Sequence, residues 1–174
     1  MSSVTFQCLV PLPLLFAASF QNEVPREGLR DNRTKSNTNS LKVLLVEDHA
    51  LARKTFCEML RDELGVDTVS EAANGLEGVS AAQELQPDIT LLDVTMPALG
   101  GIEAAVRIRQ VAPKTRIVFL SQHDSYRLAQ AALATGAQGY VVKSAAATDL
   151  APAIHAALAG EKFVSKLTEW PYSR

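Results

Sequence analysis

The sequence predicts a single α/β domain in which five successive βα units form a doubly wound parallel sheet. Four apolar runs of strand length each end at polar side chains, namely Glu47-Asp48, Asp93, Ser121 and Lys143. Such near-continuous apolar runs are typical of strands that helices cover on both faces. Because the carboxyl ends of parallel strands lie along one edge of a sheet, these polar groups are expected to meet there.

The first two units begin at residue 42. A strand is predicted over 42–46 and a helix over 49–64, where Ala52, Phe56 and Leu60 recur on one face and Gly65 marks the end. A second strand over 66–72 is followed by Asn74-Gly75, a turn or helix-start signal. The second helix is predicted over 76–85 and ends before Pro87.

The remaining three units follow the same alternation. The third strand, 88–92, runs into Asp93, and its helix, 102–111, ends before Pro113. A fourth strand over 115–120 precedes a helix over 125–135 that Gly136 ends. A fifth strand over 138–142 precedes a last helix over 147–159 that Gly160 ends. Right-handed crossovers restrict this order to a doubly wound sheet.

The composition of the chain limits the classes of function that can be expected. The chain has 174 residues, 47% of them apolar, and a net charge of −2, which is ordinary for a soluble protein and argues against nucleic-acid binding by bulk charge. Cys8 and Cys57 form no CxxC and no metal spacing. Free thiols in a reducing cytoplasm are therefore expected, with Cys57 in or near the core.

Residues 1–40 are predicted to be an extension without a fixed fold, residues 41–160 the domain, and residues 161–174 a tail. Residues 8–20 are apolar but interrupted by two prolines and too short to span a bilayer. No positive charge precedes them, unlike a secretory signal. Residues 21–40 are polar, as in a linker. A dispensable extension or upstream start, a docking peptide and an export signal all remain open.

The polar strand ends outline a metal and phosphoryl site. Glu47, Asp48 and Asp93 bring three carboxylates together, which repel one another unless a cation lies between them. Mg²⁺ is a hard ion that takes one or two carboxylates together with phosphate and water. Lys143 adds a positive charge that offsets phosphate and carboxylates. Alternatively, Glu47-Asp48 caps the first helix, and both roles are compatible.

Residues 41–160 resemble a response-regulator receiver domain, most closely of the NarL/FixJ branch. The resemblance depends on an acid pair, an acidic strand end, a hydroxyl and a lysine in the same order. The matching stretches are VLLVEDH at 43–49, DITLLDVTMP at 88–97, VFLS at 118–121 and GAQGYVVKS at 136–144. It implies a flavodoxin-like, CheY-like fold. Receivers often have proline after the lysine, where this chain has Ser144.

The resemblance assigns a role to each polar strand end. Asp93 becomes the phosphoryl acceptor and nucleophile. The Mg²⁺ ligands are Asp48, Asp93 and the Thr95 backbone carbonyl, with Glu47 acting through water. Lys143 pairs with a phosphoryl oxygen.

Four further positions are implied to control the phosphorylated state. Ser121 hydrogen-bonds the phosphoryl group, and Tyr140 turns inward as Ser121 moves, so these two residues form the switch. Thr95 and His123 border the phosphoryl group and tune its lifetime. An ordinary strand aromatic at Tyr140 and a surface histidine without a role at His123 remain open.

The resemblance also implies partners. In the cytoplasm, where this chain is expected to be located, a sensor histidine kinase donates the phosphoryl group, and a downstream protein or a second copy receives the signal. Activity beyond self-phosphotransfer and autodephosphorylation is not expected, nor is membrane association. The chain ends 14 residues after Gly160, too few for a helix-turn-helix domain, so no direct DNA binding is expected.

Three alternatives remain. In the first, the site is vestigial and the domain serves as a scaffold or dimerisation module. The second is a magnesium-dependent phosphatase of the haloacid-dehalogenase type, which also uses an aspartyl nucleophile. Its general acid lies two residues after the nucleophile, where this chain has Thr95. A flavin site is disfavoured, because the acidic first loop cannot cradle a phosphate.

Overall fold

Six parallel strands form one sheet in the order β2-β1-β3-β4-β5-β6. The computed structural model describes residues 41–66 and 69–167. The strands are β1 Val43–Val46, β2 Val69–Ala72, β3 Ile89–Asp93, β4 Arg116–Ser121, β5 Gly139–Val142 and β6 Phe163–Val164. Strands β1, β3 and β5 are buried along their whole length, as their apolar runs predict.

In the part of the chain that the structure describes, five helices connect the strands. They are α1 Ala50–Leu64, α2 Gly75–Leu85, α3 Gly101–Val111, α4 Tyr126–Ala134 and α5 Ala146–Ala159, with a 3₁₀ turn at Lys143–Ala145 before α5. Their ends follow local capping rules. The Asn74 side chain accepts from the Glu77 amide while the Glu77 carboxylate accepts from the Ala73 amide. The predicted glycine stops at 65 and 160 are left-handed C-caps.

Alternate residues of each central strand enter opposite halves of the core. Leu44 and Val46 belong to a cluster that packs under α2, α3 and α4, whereas Val43 and Leu45 belong to one under α1 and α5. This division places helices on both faces of the sheet and confirms the predicted doubly wound, flavodoxin-like arrangement.

The prediction of five strands was wrong by one. β6 pairs in parallel with β5, with Gly139 opposite Phe163 and Tyr140 opposite Val164. It lies within residues 161–174, which the sequence assigned to a tail. Strand β5 would otherwise be the edge of the sheet, and a short additional strand satisfies its outward backbone groups.

Two further details complete the comparison. The second strand was predicted from residue 66 but begins at Val69; Val66 is instead held by the end of α1, where its amide donates to the Leu60 carbonyl. Cys57 is free and buried, as expected. Residues 1–40, with Cys8, and 168–174 lie outside the described residues. Within 41–66 and 69–167, no helix is both long and apolar enough to span a bilayer.

Candidate functional site

The carboxyl edge of the sheet gathers the predicted carboxylates and Lys143 around one cleft of about 230 Å³, whereas Ser121 is buried and does not line it. Glu47 follows β1, Asp93 ends β3 and Lys143 follows β5. The residues lining the cleft are Glu47, Asp48, His49, Asp93, Thr95, Gln122, His123 and Lys143. The parallel topology therefore brings together groups that lie up to 96 positions apart in the chain.

Three carboxylates and one ammonium form the centre of the cleft. One oxygen from each of Glu47, Asp48 and Asp93 lies within 4.8 Å of the others. Glu47 is 0% and Asp93 4% exposed, whereas Asp48 is exposed. The Lys143 ammonium lies 2.7 Å from Glu47 Oε2 and 3.1 Å from Asp93 Oδ2. One partly buried cation thus bridges two buried anions, and the cluster keeps an excess of negative charge.

Burial dominates the electrostatics of Glu47. Desolvation raises the pKa of its carboxyl above the usual value, and the Asp93 charge raises it further, against the hydrogen bond and charge of Lys143. The raised pKa means that the surrounding groups do not fully compensate its ionised form. A second cation in the cleft would complete that compensation.

The donor set fits Mg²⁺. All charged donors of the cluster are carboxylate oxygens, the ligands that this ion prefers. Glu47 already accepts from Lys143 Nζ and, at 3.4 Å, from the His49 amide. Asp48 and Asp93 are therefore the residues best placed to ligate an ion directly, and Glu47 to act through water. The Asp93 Oδ1 atom also accepts from the Thr95 amide at 3.3 Å.

Ser121 and Tyr140 meet through the backbone of His123. The His123 amide donates to Ser121 Oγ at 3.0 Å, and its carbonyl accepts from the Tyr140 hydroxyl at 2.7 Å. The Tyr140 ring is fully buried, and burial raises the pKa of its phenol. The structure thus places Tyr140 in the inward position, with one residue linking it to Ser121. The exposed His123 side chain lines the cleft.

The loop after Asp93 is shaped by a close backbone approach. A Cβ atom at Gly101, the first residue of α3, would lie 1.9 Å from the Asp93 carbonyl oxygen. The Gly101 amide donates to the Val94 carbonyl at 3.0 Å. Glycine is required there because the start of α3 lies directly on the backbone at the end of β3.

Sequence reasoning missed two residues that line the cleft, His49 and Gln122, and one residue that holds the end of β1, Arg53. His49 was assigned only to the helix start, where its imidazole does cap α1 by accepting from the Ala52 amide. Arg53 donates to the Glu47 carbonyl at 2.7 Å and pairs with Glu71 at 3.1 Å, which fixes the end of β1. Adjacency to Glu47-Asp48 and Ser121 was the available signal for His49 and Gln122.

The chain is similar to known signalling proteins over most of this domain. Residues 43–155 match the model of the response regulator receiver domain. The chain is 35% identical to the response regulator GacA of Pseudomonas syringae pv. syringae over 72% of this chain and 58% of that protein. It is 34% identical to the nitrate/nitrite response regulator NarL of Escherichia coli K12 over 75% of this chain and 61% of that protein.

The chain is also similar to a response regulator of known structure. A LuxR-family two-component response regulator from Aurantimonas sp. SI85-9A1 superposes with a TM-score of 0.67 at 36% identity, over 71% of this chain and 89% of that one. The chain spans about 60% of the length of the two curated relatives it matches. The family model covers more than half of the chain, and its range includes every polar strand end of the cleft. By its sequence and its fold, this chain belongs to the response regulator receiver domain family.

Proposed function

We propose that this chain accepts a phosphoryl group on Asp93 from a sensor histidine kinase in the cytoplasm and thereby switches its binding to a protein partner or to a second copy. Receiver domains are signalling domains rather than enzymes acting on external substrates. The observation that carries the proposal is the contact of one ammonium with two buried carboxylates beside an exposed third.

The chemistry follows from the charges of the cleft. A carboxylate oxygen of Asp93 attacks phosphorus, the bond between phosphorus and the donor's imidazole nitrogen breaks, and the imidazole leaves with that electron pair. Lys143 already contacts Asp93 and can pair with a phosphoryl oxygen without leaving Glu47. Mg²⁺, when held by Asp48, Asp93 and the Thr95 carbonyl, neutralises charge on the carboxylates and the phosphoryl group.

The switch uses the hydrogen bonds around His123. Ser121 Oγ accepts from the His123 amide, so moving this hydroxyl to a phosphoryl oxygen removes that bond. Tyr140 holds the carbonyl of the same residue. The two bonds couple phosphorylation to the β4–α4 loop and to the aromatic ring, which together form a two-state element. Thr95 and His123 border the cleft and set access of water to the acyl phosphate.

An apolar groove beside the cleft supports a protein as the phosphoryl donor. The groove, of about 470 Å³, lies between α1 and the start of α5 and shares His49, Gln122 and Lys143 with the cleft. At its rim, Leu51 is 68% exposed. Exposed apolar surface next to a reactive carboxylate suits a donor whose phosphoryl group must be brought to Asp93 by docking.

Labelling with a small phosphodonor and Mg²⁺ tests the acceptor. Wild type should gain one phosphoryl group that hydroxylamine removes, as expected of an acyl phosphate, and Asp93→Asn should gain none. Asp62→Asn removes an exposed acid near the far end of α1 and should label like wild type. Equal labelling of Asp93→Asn and wild type would refute the assignment. A wild type that neither labels nor binds Mg²⁺ would favour the scaffold alternative, and multiple turnover of a phosphomonoester would favour the phosphatase.

A second experiment separates the donor surface from the chemistry. Leu51→Asp should slow phosphotransfer from a purified sensor kinase and leave labelling by the small phosphodonor unchanged. Leu76→Asp is the matched control, because Leu76 is 54% exposed on α2, on the opposite face of the sheet. Equal kinase rates for all three proteins would exclude the groove as the donor surface. Size-exclusion chromatography with and without beryllofluoride then tests whether the output is a second copy.

A further inference from the structure

The segment after α5 binds along the edge of β5 and forms a strap over residues 163–167. The Phe163 amide donates to the Gln138 carbonyl, and the Ser165 amide to the Tyr140 carbonyl, each at 2.9 Å. Leu167 is buried in the same half of the core as Tyr140. The strap therefore holds the backbone of the residue whose side chain bonds the β4–α4 loop.

The Ser165 hydroxyl makes the most specific contact of the strap. Its oxygen accepts from the Val142 amide at 3.1 Å and donates its own proton to Asp149 Oδ2. Ser165 is 3% exposed. Val142 is the last residue of β5, and Asp149 lies in the first turn of α5. One buried hydroxyl thus joins the end of a strand to the start of the next helix.

Between those two anchors lies the 3₁₀ turn Lys143–Ala145. Lysine has a long side chain with several rotatable bonds, so the position of its ammonium depends on a fixed backbone. Within the described residues, the strap is the only element that hydrogen-bonds the outer edge of β5. The turn carrying Lys143 is therefore fixed from outside the cleft.

We propose that Ser165 is a positioning residue for the phosphoryl site, acting through the turn that carries Lys143 and through β5. This inference rests on the proposed function, because it concerns the same acceptor site. A docked strap keeps Lys143 aimed at the cleft and Tyr140 inward. By linkage, occupation of the cleft by a phosphoryl group must in turn strengthen docking of the strap by the same factor.

The test compares beryllofluoride and Mg²⁺ binding in the full chain. Ser165→Ala should weaken beryllofluoride binding at saturating Mg²⁺ by about 5-fold or more, the scale of typical coupling between sites. Binding of Mg²⁺ alone should not weaken, because the three carboxylates are untouched and a displaced Lys143 would only remove positive charge from beside them. Lys166→Gln is the control, since Lys166 is the exposed neighbour in the same segment. If Ser165 acts through Lys143, adding Ser165→Ala to a Lys143→Met variant should weaken beryllofluoride binding less than Ser165→Ala weakens it in wild type.

Amide hydrogen exchange of the wild-type chain tests the same coupling without any substitution. Beryllofluoride should slow exchange of the Phe163 and Ser165 amides in wild type. Unchanged exchange, or faster exchange, would overturn the strap's role, as would equal beryllofluoride affinities of Ser165→Ala and wild type. Equal losses of Mg²⁺ and beryllofluoride binding in Ser165→Ala would reduce Ser165 to a structural residue. A wild type that binds no beryllofluoride through Asp93 would overturn the proposed function itself, which keeps the two failures distinct.

Discussion

Replacing Asp93 by asparagine should make the domain more stable in the absence of divalent cations. The substitution removes one buried charge from a cluster of three carboxylates in which the single ammonium contacts only Glu47 and Asp93. Asparagine has nearly the same shape and can still accept the Thr95 amide, which in wild type donates to Asp93 Oδ1 at 3.3 Å. Lys143 keeps Glu47 as its partner, at 2.7 Å. No buried ion is left without a counterion.

The magnitude follows from the distances. At an effective dielectric constant of about 20, two carboxylates 4.8 Å apart repel by about 3.5 kcal/mol, and Asp93 has two carboxylate neighbours at or within that distance. Its attraction to the ammonium at 3.1 Å is worth about 5 kcal/mol on the same scale. Solvent screens the exposed Asp48, which reduces the repulsion, whereas the desolvation of Asp93 favours asparagine. The expected gain is about 1–2 kcal/mol.

Urea unfolding at neutral pH, with EDTA and with millimolar Mg²⁺, measures the effect. In EDTA the variant should unfold at higher urea than wild type with an unchanged slope. Mg²⁺ should raise the stability of wild type, because an ion that binds only the folded state stabilises it by mass action. Mg²⁺ should raise the stability of Asp93→Asn much less. The difference in free energy of unfolding between the two proteins should therefore become smaller or change sign.

A lower stability of Asp93→Asn in EDTA would refute this reasoning. It would mean that the contact between Lys143 and Asp93 outweighs both carboxylate repulsions, and the cluster would not then be an anion-rich site that favours a second cation. Asp62→Asn controls for the general effect of removing a surface acid. That control should differ from wild type by no more than about 0.5 kcal/mol in either condition.

Three further outcomes are expected. Lys143→Met leaves Glu47 without its ammonium and should lower the free energy of unfolding in EDTA by about 3–5 kcal/mol, and by less in Mg²⁺, as urea titrations would measure. Gly101→Ala should cost about 3 kcal/mol or more in thermal unfolding because its Cβ meets backbone at 1.9 Å, while Gly100→Ala, with 3.9 Å of space, should be close to neutral. Burial raises the pKa of the Cys57 thiol from 9.0 to about 11. Its contribution to stability is therefore complete below pH 9 and is lost as the pH rises towards 11, by about 2–3 kcal/mol, and Cys57→Val should lack this loss in pH-dependent urea titrations.

The central strands could be predicted from the sequence because burial on both faces of the sheet produces a simple apolar pattern. Strands such as β1 and β3 have no solvent-facing side, so their residues are apolar apart from Thr90, and the first charged residue marks the exit. Once the strands are parallel, the exits share an edge, which is why the positions of Asp93 and Lys143 could be predicted from their places in the chain. Helix boundaries followed equally local rules, as at Asn74 and Gly65.

Strand β6 could not be predicted for a different reason. Phe163 and Val164 are two residues without alternation, and nothing near them in the sequence marks a strand. Their conformation depends on β5, whose outer edge would otherwise leave backbone groups unpaired. The same holds for Ser165, whose partners lie 23 and 16 positions away. Such contacts depend on the whole fold rather than on a local pattern.

The position of Glu47 shows what local reasoning omits even at a predicted site. The family resemblance implied that Glu47 acts on the metal through water, but in the structure Glu47 contacts Lys143, whose ammonium lies 2.7 Å from Glu47 Oε2 and 3.1 Å from Asp93 Oδ2. A fully buried carboxylate with a raised pKa lowers the stability of the fold, because its surroundings do not fully compensate its charge. Here the charge keeps the ammonium within reach of Asp93 while part of the Asp93 charge stays available to another cation. Glu47 therefore connects the lysine to the acidic cluster for which we propose metal binding, a role that depends on distances between strands.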